Sequence, residues 1–590
     1  MEFRDFCYAH FGRMGQRLFR VFHGIEGDLD AAYMRVHPVV YFSMVSFVAL
    51  LSVTIPVTFI ILALMGLWPE LPSIPFNGLI LIPISALSPL IVLMISIIIP
   101  KTSASSRVAG LKTEIPYASM YISVMTSGGL SPFESLLRLR HAELLPNMQK
   151  EVARVESIVT STGVDPVTAM EQAARVVNLN EYKELLLGYA SMVRTGGDTL
   201  HYLFSQTNNM FKNVSSRIKA LGENMGVLME AYTIVGVLGV LGLFLMFVIG
   251  MALPAAGLSI SVEQFVLFSY IVLPVISLAF IYMSDMAQIN YPLSSWKPYL
   301  IFIAFLPLGA FMATQLVLPF YDDRFLFIVP LKDLVISLRI MLNLSEGAES
   351  AVGMAITLAI IVIPGVVGEY YYTHKEGSLH HGITLFLRDL VETRKSGLSP
   401  ERSIEELSSR DYKAFSPHLQ TMSLRLSWGF PIRQIYAEFR EKVQDWLSLI
   451  SIYLLIDTIE VGGGSEESLE TLAEFSKTTE QLEEEKRATL MPLGLVPYIG
   501  AGLLTGTTVM FLNFLTGMSF MGVSIPYVDL FNVLLPPLLL HSFILGIVAG
   551  KIMKGRVSAG FKHALLMVFV GLGAIWLMSN MSVDFGFGGG

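Results

Sequence analysis

SGGLSPFESLLRLRHAE, Ser127–Glu143, and KSGLSPERSIEELSSR, Lys395–Arg410, write the same polar turn twice in a chain dominated by apolar residues. In the first copy Gly129 suits the left-handed conformation that ends a helix, and Ser131 is placed to cap the next one. Pro132 fits its first helical position, and Glu134 the third position of a capping box. In the second copy Gly397, Ser399 and Pro400 keep this order. Arg402 replaces the glutamate, and Glu401 is left to favour the helix N-terminus through the dipole.

Two further marks recur in the same order. Gly163 in STGVDPVTAM answers Gly429 in SWGFPIRQIY, and Gly196-Gly197 in RTGGDTL answers Gly462–Gly464 in EVGGGSEESL. Asp165 and Asp198 repeat the capping device. The marks define a repeat of about 268 residues between Gly129 and Gly397. Each polar region should be a bundle of about six short helices, whose narrow apolar faces need neighbours.

Outside these regions the chain is built for lipid. Of its 590 residues 53% are hydrophobic and only 15% charged, with a mean hydropathy of +0.60. These values exclude an ordinary soluble protein and point to an all-α polytopic membrane protein. Nine runs are long enough to cross roughly 30 Å of hydrocarbon, near 39–65, 77–100, 226–252, 262–284, 298–319, 351–369, 491–515, 527–550 and 563–579. Prolines inside them, such as Pro307, Pro364, Pro536 and Pro537, bend helices without opposing insertion.

Basic flanks set the orientation. Arg13, Arg17, Arg20 and Arg35 precede the first run, Lys101 and Arg107 follow the second, and Lys551, Lys554, Arg556 and Lys562 flank the last turn. All fall inside if the N-terminus is inside. The expected organisation is then an amphipathic cytoplasmic segment at 1–37, spans 1–2 at 38–100, and a first cytoplasmic helical domain at 101–225. Spans 3–4 follow at 226–285 and spans 5–6 at 286–369, with an outer amphipathic loop at 320–350. The second cytoplasmic domain is 370–490, spans 7–9 are 491–580, and an outer glycine-rich tail is 581–590. A tenth span near 325–342 would invert everything after it. The N-terminus lacks a clean signal core and cleavage site and is expected to be retained.

Little in the chain suggests chemistry. Cys7 is the single cysteine, so no internal disulfide, thiolate zinc site or iron–sulfur cluster is available to the chain alone. GAGLLTG, Gly500–Gly506, lacks the preceding strand and following acid of a nucleotide loop. Close helix packing through Gly502 and Gly506 is the better reading, as it is for Gly236–Gly242. No Walker lysine occurs, His380-His381 lacks ligand spacing, and His541 in a span reads as packing more than as a proton relay. The expectation is no enzyme, no metal and no cofactor.

Charge is the remaining signal. Arg138, Arg140 and His141 form a basic patch at the first turn, and Arg388, Arg394, Lys395 and Arg402 another at the second. Glu466, Glu467, Glu470, Glu474, Glu480, Glu483, Glu484 and Glu485 form an acidic stretch, which is either a solvated face or a docking surface.

Ordered GLSPxxSL-type and GG-type turns between paired spans resemble the type II secretion system F-domain superfamily. The duplicated nine-span layout looks like the archaeal branch that forms the platform of archaella and type IV pili. The resemblance covers roughly 40–580. It implies a non-catalytic platform in the cytoplasmic membrane, a homodimer in the lipid bilayer, with a hexameric cytoplasmic secretion ATPase and prepilin- or archaellin-like subunits as partners and no nucleic acid. By position it implies hinge roles for Gly129, Ser131, Pro132, Glu134, Gly163, Asp165, Gly197, Gly397, Ser399, Pro400, Gly429 and Gly464. It implies ATPase docking for Arg138, Arg140, Arg394, Lys395 and Arg402, and the acidic charge adds Glu483, Glu484 and Glu485 as a docking surface. The rivals are a secondary transporter, which would need functional residues near the midplane, and a static anchor of a secretion complex.

Overall fold

The computed structural model describes residues 3–32, 34, 36–54, 57, 88–252, 262–289, 291, 296–321, 327–373, 376–462, 464–518 and 527–580. Among these residues the regular structure is helical throughout. The chain divides into two compact units, one of residues 1–122 and 132–204, the other of 123–131 and 205–590.

The first unit begins with α1 (Phe3–Val21), α2 (Ile25–Ala31) and α3 (Pro38–Ser52). The amphipathic start of the chain lays part of its apolar face on α3. Phe3, Phe6 and Phe11 each meet the Phe47 ring edge-on. Gly15 lets the helices cross closely, since a Cβ there would stand 2.6 Å from the Val39 carbonyl. The long α4 (Ser88–Ser127) follows, tied to α3 where the Tyr41 hydroxyl donates to the Ser96 carbonyl at 2.7 Å.

Past Lys101 the α4 helix enters the first helical domain, with α5 (Pro132–Arg138), α6 (Pro146–Thr162), α7 (Pro166–Val176) and α8 (Asn180–Thr195). Apolar positions at helical spacing, such as Tyr182, Leu185, Leu186 and Tyr189 of α8, close its core. Two carboxylates are buried with them. Glu151 meets Arg107 and Arg154. Glu114 accepts from the Asn147 amide at 2.9 Å, the Met148 amide at 2.7 Å and the Asn147 side chain at 2.7 Å. It thereby satisfies the otherwise open first turn of α6.

The second unit takes up the chain in α9 (Thr199–Thr233), which passes through a π-helical turn, Ile234–Gly239, into α10 (Val240–Ala252). Next are α11 (Val262–Leu267), a second π turn, α12 (Leu273–Ala287), α13 (Lys297–Leu316), α14 (Val329–Met341) and α15 (Glu349–Thr373). The second helical domain is α16 (Glu376–Lys395), α17 (Pro400–Leu407), α18 (Ser416–Ser427), α19 (Ile432–Lys442), α20 (Trp446–Gly462) and α21 (Glu466–Leu490). α22 (Val496–Met518), α23 (Tyr527–Lys554) and α24 (Gly560–Asn580) end the described chain.

Eight helices among the described residues are long and apolar enough to cross a membrane, and Pro38–Ser52 is a shorter apolar one. Of the nine expected spans, the first is described only in its opening part, and the loop 66–76 and tail 581–590 lie outside the described residues. α14 has 13 residues, roughly 20 Å of helix, too short for a tenth span. It buries Val335 and leaves Leu334, Ile340 and Met341 exposed.

The spans pack through small residues. A Cβ on Gly546 would lie 2.4 Å from the Ala564 Cα, and one on Gly550 2.1 Å from the Gly560 Cα, so α23 and α24 touch backbone to backbone. Gly500 makes room for the Val237 side chain, whose Cγ2 would stand 2.7 Å from a Cβ there, whereas Gly502 and Gly242 face open space. Of the glycines read as packing residues, Gly506 and Gly236 are buried and Gly502 and Gly242 are not in close contact, because helical phase cannot be fixed from a run apolar on every side.

Candidate functional site

Each helical domain is punctuated by three glycines with positive φ, Gly129, Gly163 and Gly196 in the first and Gly397, Gly429 and Gly464 in the second. Gly129 shows why. Its amide donates to the Thr126 carbonyl at 3.0 Å and the Leu130 amide to the Met125 carbonyl at 3.2 Å, the paired bonds that close a helix end around a left-handed residue. Gly196 and Gly429 close α8 and α18 with the same pair of bonds. The third mark of the first domain therefore turns at Gly196, not at Gly197, whose own amide reaches back to the Met192 carbonyl at 2.9 Å. Gly129 to Gly397 and Gly196 to Gly464 share one offset of 268 residues.

The helices after these turns start on side-chain caps. Ser399 accepts from the Arg402 amide at 3.3 Å, Asp165 from the Thr168 amide at 3.0 Å and Asp198 from the His201 amide at 2.9 Å. The Thr168 bonds hold the Asp165 carboxyl below the usual range. Pro132, Pro166 and Pro400 occupy first helical positions, and Ser131 and Glu134 each engage neighbours.

The basic residues around the turns divide into two kinds. Arg394 is internal to the second domain, donating from Nε to the Gly464 carbonyl at 3.0 Å and from Nη1 to the Leu398 carbonyl at 2.6 Å. It joins the first and third turns, where a Cβ on Gly464 would already meet the Pro400 ring at 2.8 Å. Lys395 pairs with Glu470 at 3.2 Å, which raises its pKa. Arg140 and Arg402 are exposed, Arg140 beside Glu156. Arg138 is half-buried and engaged.

The acidic helix α21 divides similarly. Leu469, Leu472, Phe475 and Leu482 bury one face, while several carboxylates meet partners within the chain. Glu480 meets His381, and Glu483 meets the Tyr291 hydroxyl and, at 3.7 Å, Lys486. Glu485 accepts from Ser215 at 2.8 Å and pairs with Lys219 at 3.6 Å. Tyr291, on the linker after α12, stacks on Trp446 at 5.0 Å with Lys486 over its ring. Sequence reasoning passed over Tyr291 and Trp446, since lone aromatics carry no periodicity. Glu466, Glu467, Glu474 and Glu484 remain exposed.

The histidines serve the fold. His380 is buried with Nε2 3.4 Å from the Thr479 hydroxyl, and burial lowers its pKa. His541 reaches the Gly236 carbonyl at 2.6 Å, within the π turn Ile234–Gly239.

Against known proteins, residues 118–247 and 386–512 each match the family model for type II secretion system (T2SS), protein F. The two matches begin at the same offset that separates Gly129 from Gly397. "Uncharacterized protein MJ1286" of Methanocaldococcus jannaschii is 19% identical over 513 residues, 82% of each chain. No solved structure matches.

Proposed function

From a chain that carries two copies of the type II secretion system protein F domain, a family of multi-pass membrane platform proteins, we propose the platform of an archaellum- or type IV pilus-like assembly machine. In this reading both helical domains face the cytoplasm and dock a hexameric secretion ATPase, and the spans receive prepilin-like subunits and support their insertion into the filament.

The observation that carries the reading is mechanical. Thr199–Gly250 is an unbroken helical run of 52 residues through its π turn, roughly 78 Å long, and in Glu466–Leu512 α21 joins α22 through a turn at Met491 and a short 3-10 segment, Pro492–Leu495. Each leads from a helical domain into a span. Motion imposed on a bundle passes along the α9–α10 rod, and along α21 and α22 through their short helical joint, as a disordered linker would not allow. Among the exposed charges, Arg140, Arg402 and Glu484 are in this reading assigned to the ATPase contact, and Arg394 and Glu485, which have partners within the chain, are left to internal roles.

Deletion of the chain in its own cells should abolish surface filaments while prepilins accumulate in the membrane. A tagged, complementing copy should recover the ATPase from solubilised membranes. Intact filaments in the deletion strain, with no ATPase recovered, would reject the proposal.

A further inference from the structure

The α21 helix, at the Glu485 end of its acidic stretch, packs against α9 of the same chain. Phe211 of α9 lies 5.8 Å from Phe475 of α21, ring to ring. Further along, Ser215 and Lys219 meet Glu485, a Cβ on Gly222 would stand 2.2 Å from the Thr489 methyl, and Leu221 and Met225 share a buried cluster with Leu490. Still further, Val237 packs on Gly500. Residue numbers rise together on both helices, so α9 and α21 run parallel. Under the 268-residue offset the repeat mates of Ser215, Gly222 and Val237 are Glu483, Leu490 and Thr505, each within about five positions of the observed partner. Each helix therefore packs against its own repeat copy, about a pseudo-twofold axis along the seam.

The seam is not symmetric in chemistry. Across it the α9 side brings the Ser215 hydroxyl and Lys219 to the carboxylate of Glu485 on α21. At mated positions Gly222 stands where the other helix has Leu490. Two α21 helices from two copies would set glutamates against glutamates and bulk against bulk, and two α9 helices would set lysines together around a groove.

We infer that Glu485, at the end of the acidic stretch, is a recognition element for Lys219 and Ser215 of α9 in the same chain, so that one chain assembles the twofold seam in cis and does not form it as a homodimer. An isologous surface filled in this way leaves no second copy of itself open. The inference does not depend on what the platform carries.

Cysteine cross-linking of the full chain in membranes, in a Cys7→Ser background, tests it. Ser215→Cys with Glu485→Cys, and separately Gly222→Cys with Thr489→Cys, should on oxidation by copper phenanthroline give a fast-migrating species of one-chain mass. Differently tagged copies carrying one cysteine each should give no joined product. Adding Glu485→Lys to the Gly222/Thr489 pair should slow cross-linking about threefold, and Lys219→Glu should restore it. Disulfides joining the two tags, or no disulfide from either pair in one chain, would overturn the inference.

Discussion

Arg394 donates to the Gly464 carbonyl at 3.0 Å and so ties the first turn of the second domain to the third. The same position of the first domain holds Thr126, so the two copies close this end of the bundle differently. Removing a charged donor from two carbonyls at a half-buried site costs about 1.5–3 kcal/mol. Arg394→Ala should therefore lower the thermal midpoint of the purified protein and expose the 395–400 turn to limited proteolysis. An unchanged midpoint with selective loss of ATPase recovery would move Arg394 back to a docking role.

The glycine turns separate backbone strain from crowding. At Gly129 φ is +97° and no atom lies within 4 Å of where a Cβ would stand, so only the left-handed backbone opposes substitution. Gly129→Ala should cost about 1–2 kcal/mol, and Gly129→Val more, because a branched side chain fits that region worst. Gly464→Ala adds the 2.8 Å approach to Pro400 and should be the more damaging alanine of the two. Urea titrations of the detergent-solubilised chain, followed by protease susceptibility at each turn, rank the three; equal midpoints for both alanine variants would show that the Pro400 ring simply moves aside.

Surface charge carries the third expectation. Arg140→Glu with Glu484→Lys changes exposed groups, and exposed ion pairs such as Arg140 with Glu156 contribute about 0–1 kcal/mol. Membrane levels and folding should hold while ATPase recovery falls and becomes more sensitive to salt. Unchanged recovery and filaments would make both charges ordinary solvated surface.

These outcomes trace how far the sequence could be read. Spans and turn residues were legible because a membrane imposes length and apolarity, and a left-handed residue imposes glycine. Arg394 was not, since a basic residue beside a turn reads the same whether it bonds carbonyls or water. The turn within the Gly196-Gly197 pair was placed one residue late, and the close contact of span 7 at Gly502 in place of Gly500, where neighbouring glycines leave helical phase open. The acidic stretch was visible as charge, but its partner, Lys219 on a helix 266 residues earlier than Glu485, follows only once the repeats are folded together.

The last expectation concerns Glu114 and pH. It lies in the domain portion of α4, fully buried. Burial pushes its carboxyl up from 4.5 to about 7, although the Met148 and Asn147 amides and the Asn147 side chain favour the ionised form. An unfolded chain loses this proton near 4.5, whereas the folded domain holds it to about 7. Between those values the folded state binds more protons than the unfolded, so stability falls as pH rises. The contribution is fully present below about pH 4.5 and is lost as pH passes through about 7, on the order of 3 kcal/mol in all. Backbone hydrogen exchange of the first turn of α6, corrected for intrinsic rates, should lose protection from about pH 5 to about pH 7.5. Glu114→Gln keeps a side-chain acceptor and cannot ionise, so its protection should stay flat across the same interval. A Glu114→Gln profile as steep as that of the wild type would place the titrating group elsewhere in the domain.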